Sequence, residues 1–192
     1  MRADARKSLD SLLEAAKAVF AELGIDAPVR EITTRAGVGL GTFYRHFPQR
    51  ADLIAAVFRR EVDGCAAAAP QLAAKHKPME ALVRWLDHYA DFIGTKRGLA
   101  AALHSGDPTY DSLPAYFETH LRPAIAALLE SAAAAGAIRS DVEPGDLLRA
   151  VSNLSVPDRK HTSRMLALLI DGLRYGAAKP TTSKKAARPR AR

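Results

Sequence analysis

Apolar residues recur along most of the chain at intervals of three and four, the period of a helix with one buried face. From Ser8 to Leu23, the residues Leu9, Leu12, Leu13, Ala16, Val19, Phe20 and Leu23 share one stripe, and Gly24 supplies the stop. A short second helix is predicted over 29–36, with Pro28 in its first turn and Val29, Ile32 and Ala36 facing inward. Gly37-Val38-Gly39 forms a tight connection, with a glycine free to take positive φ where that helix ends. A third helix is predicted over 40–46, and Pro48 breaks it. The next stretch, 49–69, carries Leu53, Ile54, Val57, Phe58, Val62 and Cys65 on one stripe, with Pro70 at or near its end.

The helical period continues over 79–93, 99–103 and 116–135, with a turn at Gly106-Asp107-Pro108, a bend at Pro123 and a stop at Gly136. Two last helices are predicted over 144–154 and 158–175, around a polar loop at Pro157. No stretch alternates at the strand period, so the fold class is all-α. No internal repeat of fixed period is present.

Composition narrows the picture. The 192 residues, 48% of them hydrophobic, suffice for a small module plus one larger core. One cysteine, Cys65, rules out an internal disulfide framework and offers no metal set, so neither metal nor other cofactor is expected. No run approaches the roughly 20 apolar residues that span a bilayer. The charged start lacks a signal peptide's apolar run, so a soluble, cytoplasmic protein with no membrane partner is expected. The net charge of +7 is uneven. Residues 1–60 carry 10 Lys/Arg against 7 Asp/Glu, residues 61–178 carry 12 against 14, and residues 179–192 carry 6 against none. Much of the excess therefore belongs to the stretch from Lys179 to Arg192, which has no apolar periodicity and is predicted to be a disordered basic tail.

The stretch Val29 to Phe47, VREITTRAGVGLGTFYRHF, combines a two-turn helix, a glycine-centred turn and a second helix rich in polar and basic groups. That is the arrangement of a helix-turn-helix, in which the first helix braces the second for entry into a DNA major groove. Thr42, Tyr44, Arg45 and His46 offer groups suited to phosphates and base edges. Phe43 and Phe47, four apart, share a face and are the expected core anchors. Gly39 and Gly41 keep the helix start slim, either so that backbone N–H groups can meet a phosphate or only to make the turn.

With these residues in view, the chain resembles the TetR family of transcriptional regulators. The resemblance runs from the helix end at Glu22-Leu23-Gly24-Ile25-Asp26, through the motif, to PQRADLIAAVFRREV, about 50 contiguous residues. It implies a three-helix DNA-binding domain over 1–50, whose following helix 49–69 connects to the body, a helical ligand-binding and dimerisation domain over 51–178, and the tail over 179–192. It implies DNA-facing positions at Thr33, Thr34, Leu40, Gly41, Thr42, Tyr44, Arg45, His46 and Arg50, the last where the family often has a phosphate-binding lysine. Ala27 stands where the family often has a Ser or Thr cap, and Leu40 where a polar side chain is common. The partners implied are a double-stranded, palindromic DNA operator, a second copy of the chain in a homodimer, and a small-molecule effector that releases a repressor.

Other chemistries find little support. GVGLGT, 37–42, follows a helix rather than a strand and lacks the Gly-Lys-Ser/Thr of a phosphate loop. His104, Ser105 and Asp107 share a turn without a nucleophile elbow, and no paired carboxylates or base-nucleophile set is evident, so no catalytic residue is expected. A helical enzyme and a nonspecific architectural DNA binder remain the competing readings. Trp85, His88, Tyr89 and Phe92, like Tyr116, Phe117 and His120, lie at helical spacing, as either plain core or the wall of an effector pocket. Leu147, Leu148, Val151 and Leu154, with Met165, Leu166, Leu169 and Leu173, give the last two helices strongly apolar faces. The resemblance implies that these faces pair with their copies in a second subunit; otherwise they close the chain's own core.

Overall fold

The computed structural model describes residues 2–175, so the tail predicted over 179–192 lies outside the described residues. Every regular element among them is helical: α1 (Arg2–Leu23), α2 (Val29–Ala36), α3 (Leu40–His46), α4 (Arg50–Lys75), α5 (Pro78–Gly98), α6 (Ala100–Leu103), α7 (Leu113–Ala134), α8 (Pro144–Leu154) and α9 (Arg159–Arg174). A single 3-10 turn, Pro108–Tyr110, precedes α7.

Several helices outrun their apolar stripes. α1 begins six residues before Ser8, whose hydroxyl bonds the Asp4 carbonyl inside the helix instead of capping it. The added turn holds good helix formers with no apolar face, so periodicity gave no signal there. α4 continues past Pro70 to Lys75 because Pro70 lies on the solvent side and half-buried Leu72 still packs on the core. One missing N–H costs less than unpacking that turn. α7 likewise carries exposed Pro123 in its interior.

α1, α2 and α3 pack together as a small head that meets α4 through α1, while α5 and α7 pack on α4 and carry α8 and α9 to form the body. The head is fastened by packing and by ion pairs: Lys17 to Glu61 at 2.8 Å and Arg60 to Asp10 at 3.1 Å join α1 to α4. One apolar cluster runs continuously from Leu12 and Phe20 through Phe58 and Val62 to Trp85, Leu121 and Leu147. The α4–α5 joint is locked by the Trp85 indole N–H, which donates to the Cys65 carbonyl at 2.9 Å. Burial pushes the Cys65 thiol up to about 12, leaving it an inert part of the core.

The apolar faces of α8 and α9 divide in two. Leu147, Leu148, Val151, Leu166 and Leu173 are buried within the chain, against α5, α7 and each other. They are core rather than interface, which corrects the expectation that they meet a second subunit. Leu154, Met165 and Leu169 are only half-buried, while Leu168 is 65% and Tyr175 82% exposed.

Candidate DNA-binding interface

The head is built around Phe43. It is buried together with Phe47, one helical turn on, with their ring centroids 5.7 Å apart. Ile32 from α2 and Leu12, Ala16, Val19 and Phe20 from α1 complete the same core. With Phe43 inward, helical geometry turns Leu40, Gly41, Tyr44 and Arg45 outward, and all four are exposed. Leu40 is 48% and Tyr44 53% exposed, a large apolar and a large aromatic side chain facing solvent on one seven-residue helix. Thr42 and His46 flank this strip, half-buried.

The turn between α2 and α3 is made by Gly37 alone. It adopts φ +65°, its N–H meets the Thr34 carbonyl at 3.2 Å, and Val38 N–H meets the Thr33 carbonyl at 3.0 Å. Gly39 is extended and Gly41 helical, and a Cβ added at either would meet no atom within 4 Å. Neither glycine is required by the chain's own packing, which leaves a smooth helix start that a neighbouring molecule can approach closely.

Two expected DNA-facing residues have other work. Thr33 is 4% exposed and its hydroxyl donates to the Arg30 carbonyl at 3.1 Å, so its side chain belongs to the head's core; its neighbour Thr34 is exposed. Arg50, half-buried at the start of α4, donates from Nη1 to the Ile25 carbonyl and from Nη2 to the Ala27 carbonyl at 2.7 Å. Its guanidinium thus staples the α1–α2 loop, at a helix start where no side chain caps α2. At the same turn, Gln49 and Asp52 form a reciprocal capping box on α4. Arg35 is also engaged, gripping both carboxylate oxygens of Glu22 at 2.8 Å and holding that carboxyl below its ordinary range. Arg45, by contrast, is exposed and held only by a 3.4 Å bond from Nε to the Gly41 carbonyl of its own helix.

In the body, the expected pocket residues separate. Trp85, Tyr89 and Phe92 are buried core: Trp85 and Tyr89 stack with centroids 5.4 Å apart, and the Tyr89 hydroxyl pairs with Ser152 at 2.8 Å. His88 is exposed, on the outer face of α5. Tyr116 and His120 stack on each other at 3.9 Å on the surface side of α7, where the Tyr116 hydroxyl donates to Asp63 at 2.6 Å. His88 borders a charged groove between α4 and α5, while Phe117 lines a separate cleft, of about 310 Å³, between α4, α5, α6, the 3-10 turn and α7. Phe58, Leu103, Tyr110 and Leu113 form its other apolar walls, and Lys96, His104 and Glu118 supply polar groups. Periodicity missed this site because its walls come from five elements that are distant in sequence; the one local signal was Lys96, a cation on an otherwise apolar inward face of α5. Among the described residues, no three His, Cys, Asp or Glu side chains converge as metal ligands, and no helix is long and apolar enough to cross a membrane.

Comparison with known proteins places both halves of the chain. Residues 12–57 match the family described as bacterial regulatory proteins, tetR family, and residues 77–175 match the C-terminal domain of SbtR-like transcriptional regulators. A crystal structure of a TetR transcriptional regulator from Streptomyces coelicolor is 39% identical, with a TM-score of 0.71, and the match covers 86% of this chain and 98% of that one. A TetR transcription regulatory protein from Mycobacterium vanbaalenii is 32% identical with a TM-score of 0.72, over 90% of this chain and 98% of that one. An HTH-type transcriptional regulator of Staphylococcus aureus is 36% identical over 64 residues, 33% of this chain and only 35% of the relative's length.

Proposed function

The chain belongs to the TetR family of DNA-binding transcriptional regulators, and from that premise we propose that it is a dimeric repressor released from a palindromic operator by a small molecule. The observation that carries the reading is the outward strip of α3. Leu40, Gly41, Tyr44 and Arg45 are exposed on a helix whose opposite face is pinned by Phe43 and Phe47. A rigid helix with a solvent-facing guanidinium and phenol is suited to groove and phosphate contacts, while Leu40 can meet a thymine methyl. Thr34, Thr42 and His46 border the strip and complete the proposed contact set. Arg50 acts one step behind it, by fixing the loop that supports α2.

In this reading two copies join through the outer side of α8 and α9, where Leu168 and Tyr175 are exposed beside half-buried Leu154, Met165 and Leu169. Two-fold pairing sets two copies of α3 about one DNA turn apart, roughly 34 Å. The effector site is the cleft lined by Phe58, Tyr110 and Phe117. An effector weakens DNA binding only by preferring the arrangement that misfits the operator. The protein works by binding, without a catalytic step, in the cytoplasm beside its DNA.

Selection of bound duplexes from a random pool tests the reading. Enrichment of an inverted repeat with half-sites one turn apart is expected. Enrichment without symmetry, or binding that is indifferent to sequence, would overturn it.

A further inference from the structure

The effector cleft has an uneven chemistry. Its walls are apolar and aromatic, yet Lys96 is half-buried among them, with Nζ 4.9 Å from the Phe117 ring centroid. Among the described residues no carboxylate stands within ion-pair distance of that ammonium. Glu118 lines the same cleft, but its side chain is exposed and reaches Lys96 only as a longer-range field. Burial accordingly pushes the Lys96 amine down from its ordinary value. A ring face compensates a desolvated cation only in part. The cleft therefore offers a charge whose best partner, a carboxylate in direct contact, is absent among the described residues.

We propose that the cleft takes a small amphiphilic monocarboxylate, its carboxylate on Lys96 Nζ and its apolar body against Phe58, Leu103, Tyr110, Leu113 and Phe117. This assignment rests on the effector-cleft reading above and adds the chemical class of the ligand. The volume of about 310 Å³ stands at the small end of ligand pockets and suits a short-chain ligand. Such a ligand matches both halves of the site: a charge-assisted hydrogen bond satisfies the ammonium, and aromatic walls exclude water from the tail. A neutral ligand of the same size leaves Lys96 uncompensated, and a cation of that size is repelled by it.

Calorimetric titration of the full chain with octanoate, octan-1-ol and octylammonium separates these cases. Octanoate is expected to bind at least about tenfold more tightly than octan-1-ol, the scale of one charge-assisted hydrogen bond. Lys96→Met should abolish that margin while leaving octan-1-ol binding unchanged, and Lys96→Arg should largely preserve it. Octanoate binding that is absent, no tighter than octan-1-ol or insensitive to Lys96→Met overturns the carboxylate assignment. Tighter binding of octylammonium does the same and makes Glu118 the reader. The underlying site is tested separately by Leu103→Trp, which fills the cleft from a half-buried position, with retention of helical circular dichroism as the check on folding. If that variant binds the same ligands unchanged, the cleft itself is wrongly placed. If it blocks octan-1-ol or octylammonium while octanoate shows no preference, only the ligand class falls.

Discussion

Arg45 and Gly41 sit on the same exposed strip of α3, and both bear on binding, but only a change at Gly41 is expected to alter stability. Arg45→Ala and Tyr44→Ala should each weaken operator binding by about 1–3 kcal/mol in fluorescence anisotropy, with the thermal midpoint unchanged, because neither side chain is buried. Gly41→Ala should keep or raise stability, by up to about 1 kcal/mol, since a Cβ there meets nothing in the chain and alanine favours the helix. Its DNA affinity should nevertheless fall if the helix start lies close to the duplex; unchanged affinity would show that Gly41 only eases the turn. The inward pair behaves differently, and Phe43→Ala should cost about 3–5 kcal/mol in urea denaturation. Phe43 and Phe47 were legible as anchors because a spacing of four fixes a shared face. Thr33 was not legible, because a short polar side chain fits equally a groove or a core in which its hydroxyl finds the Arg30 carbonyl.

Helices were largely legible as elements, their ends less so, and the joint between α4 and the head not at all. Apolar stripes placed every helix longer than one turn, but solvent-facing turns such as the start of α1 carry no stripe, and the chain around Pro70 stays helical through packing that spacing does not encode. The joint depends on Arg50, whose donors reach carbonyls 25 and 23 residues earlier in the chain. The resemblance implied a phosphate contact, because the family often has a lysine there; the fold uses the same fork to satisfy a loop. Arg50→Ala should therefore destabilise the head by about 1–2 kcal/mol, the cost of losing charge-assisted bonds to two part-buried carbonyls. The slope of log affinity against log salt distinguishes the two roles. Removing a phosphate-binding cation would lower its magnitude by about one, whereas an unchanged slope is expected for a staple.

At the scale of the whole molecule, apolar faces on α8 and α9 were read correctly as faces that need covering, but the cover differs from one residue to the next. A helical period tells which side is apolar and not which neighbour meets it. Leu147, Leu148 and Val151 are covered by the chain's own α5 and α7, while Leu168 is left outside. Sedimentation should separate these roles: Leu168→Glu is expected to convert dimers to folded monomers, and Leu147→Ala to lower stability by about 2–5 kcal/mol without changing the assembly of the folded protein. A monomeric wild type, or dimers that survive Leu168→Glu, would move the interface elsewhere. The α4–α5 lock has a practical consequence. Trp85 is the chain's single tryptophan, wholly shielded, stacked on Tyr89 and bonded to the middle of the helix that joins the head to the body. Its fluorescence is thus a label-free gauge of that joint. Emission that brightens, dims or shifts as DNA or effector is added would record α4 sliding on α5 in the native protein, at a contact between the helix that carries the head and the first helix of the body.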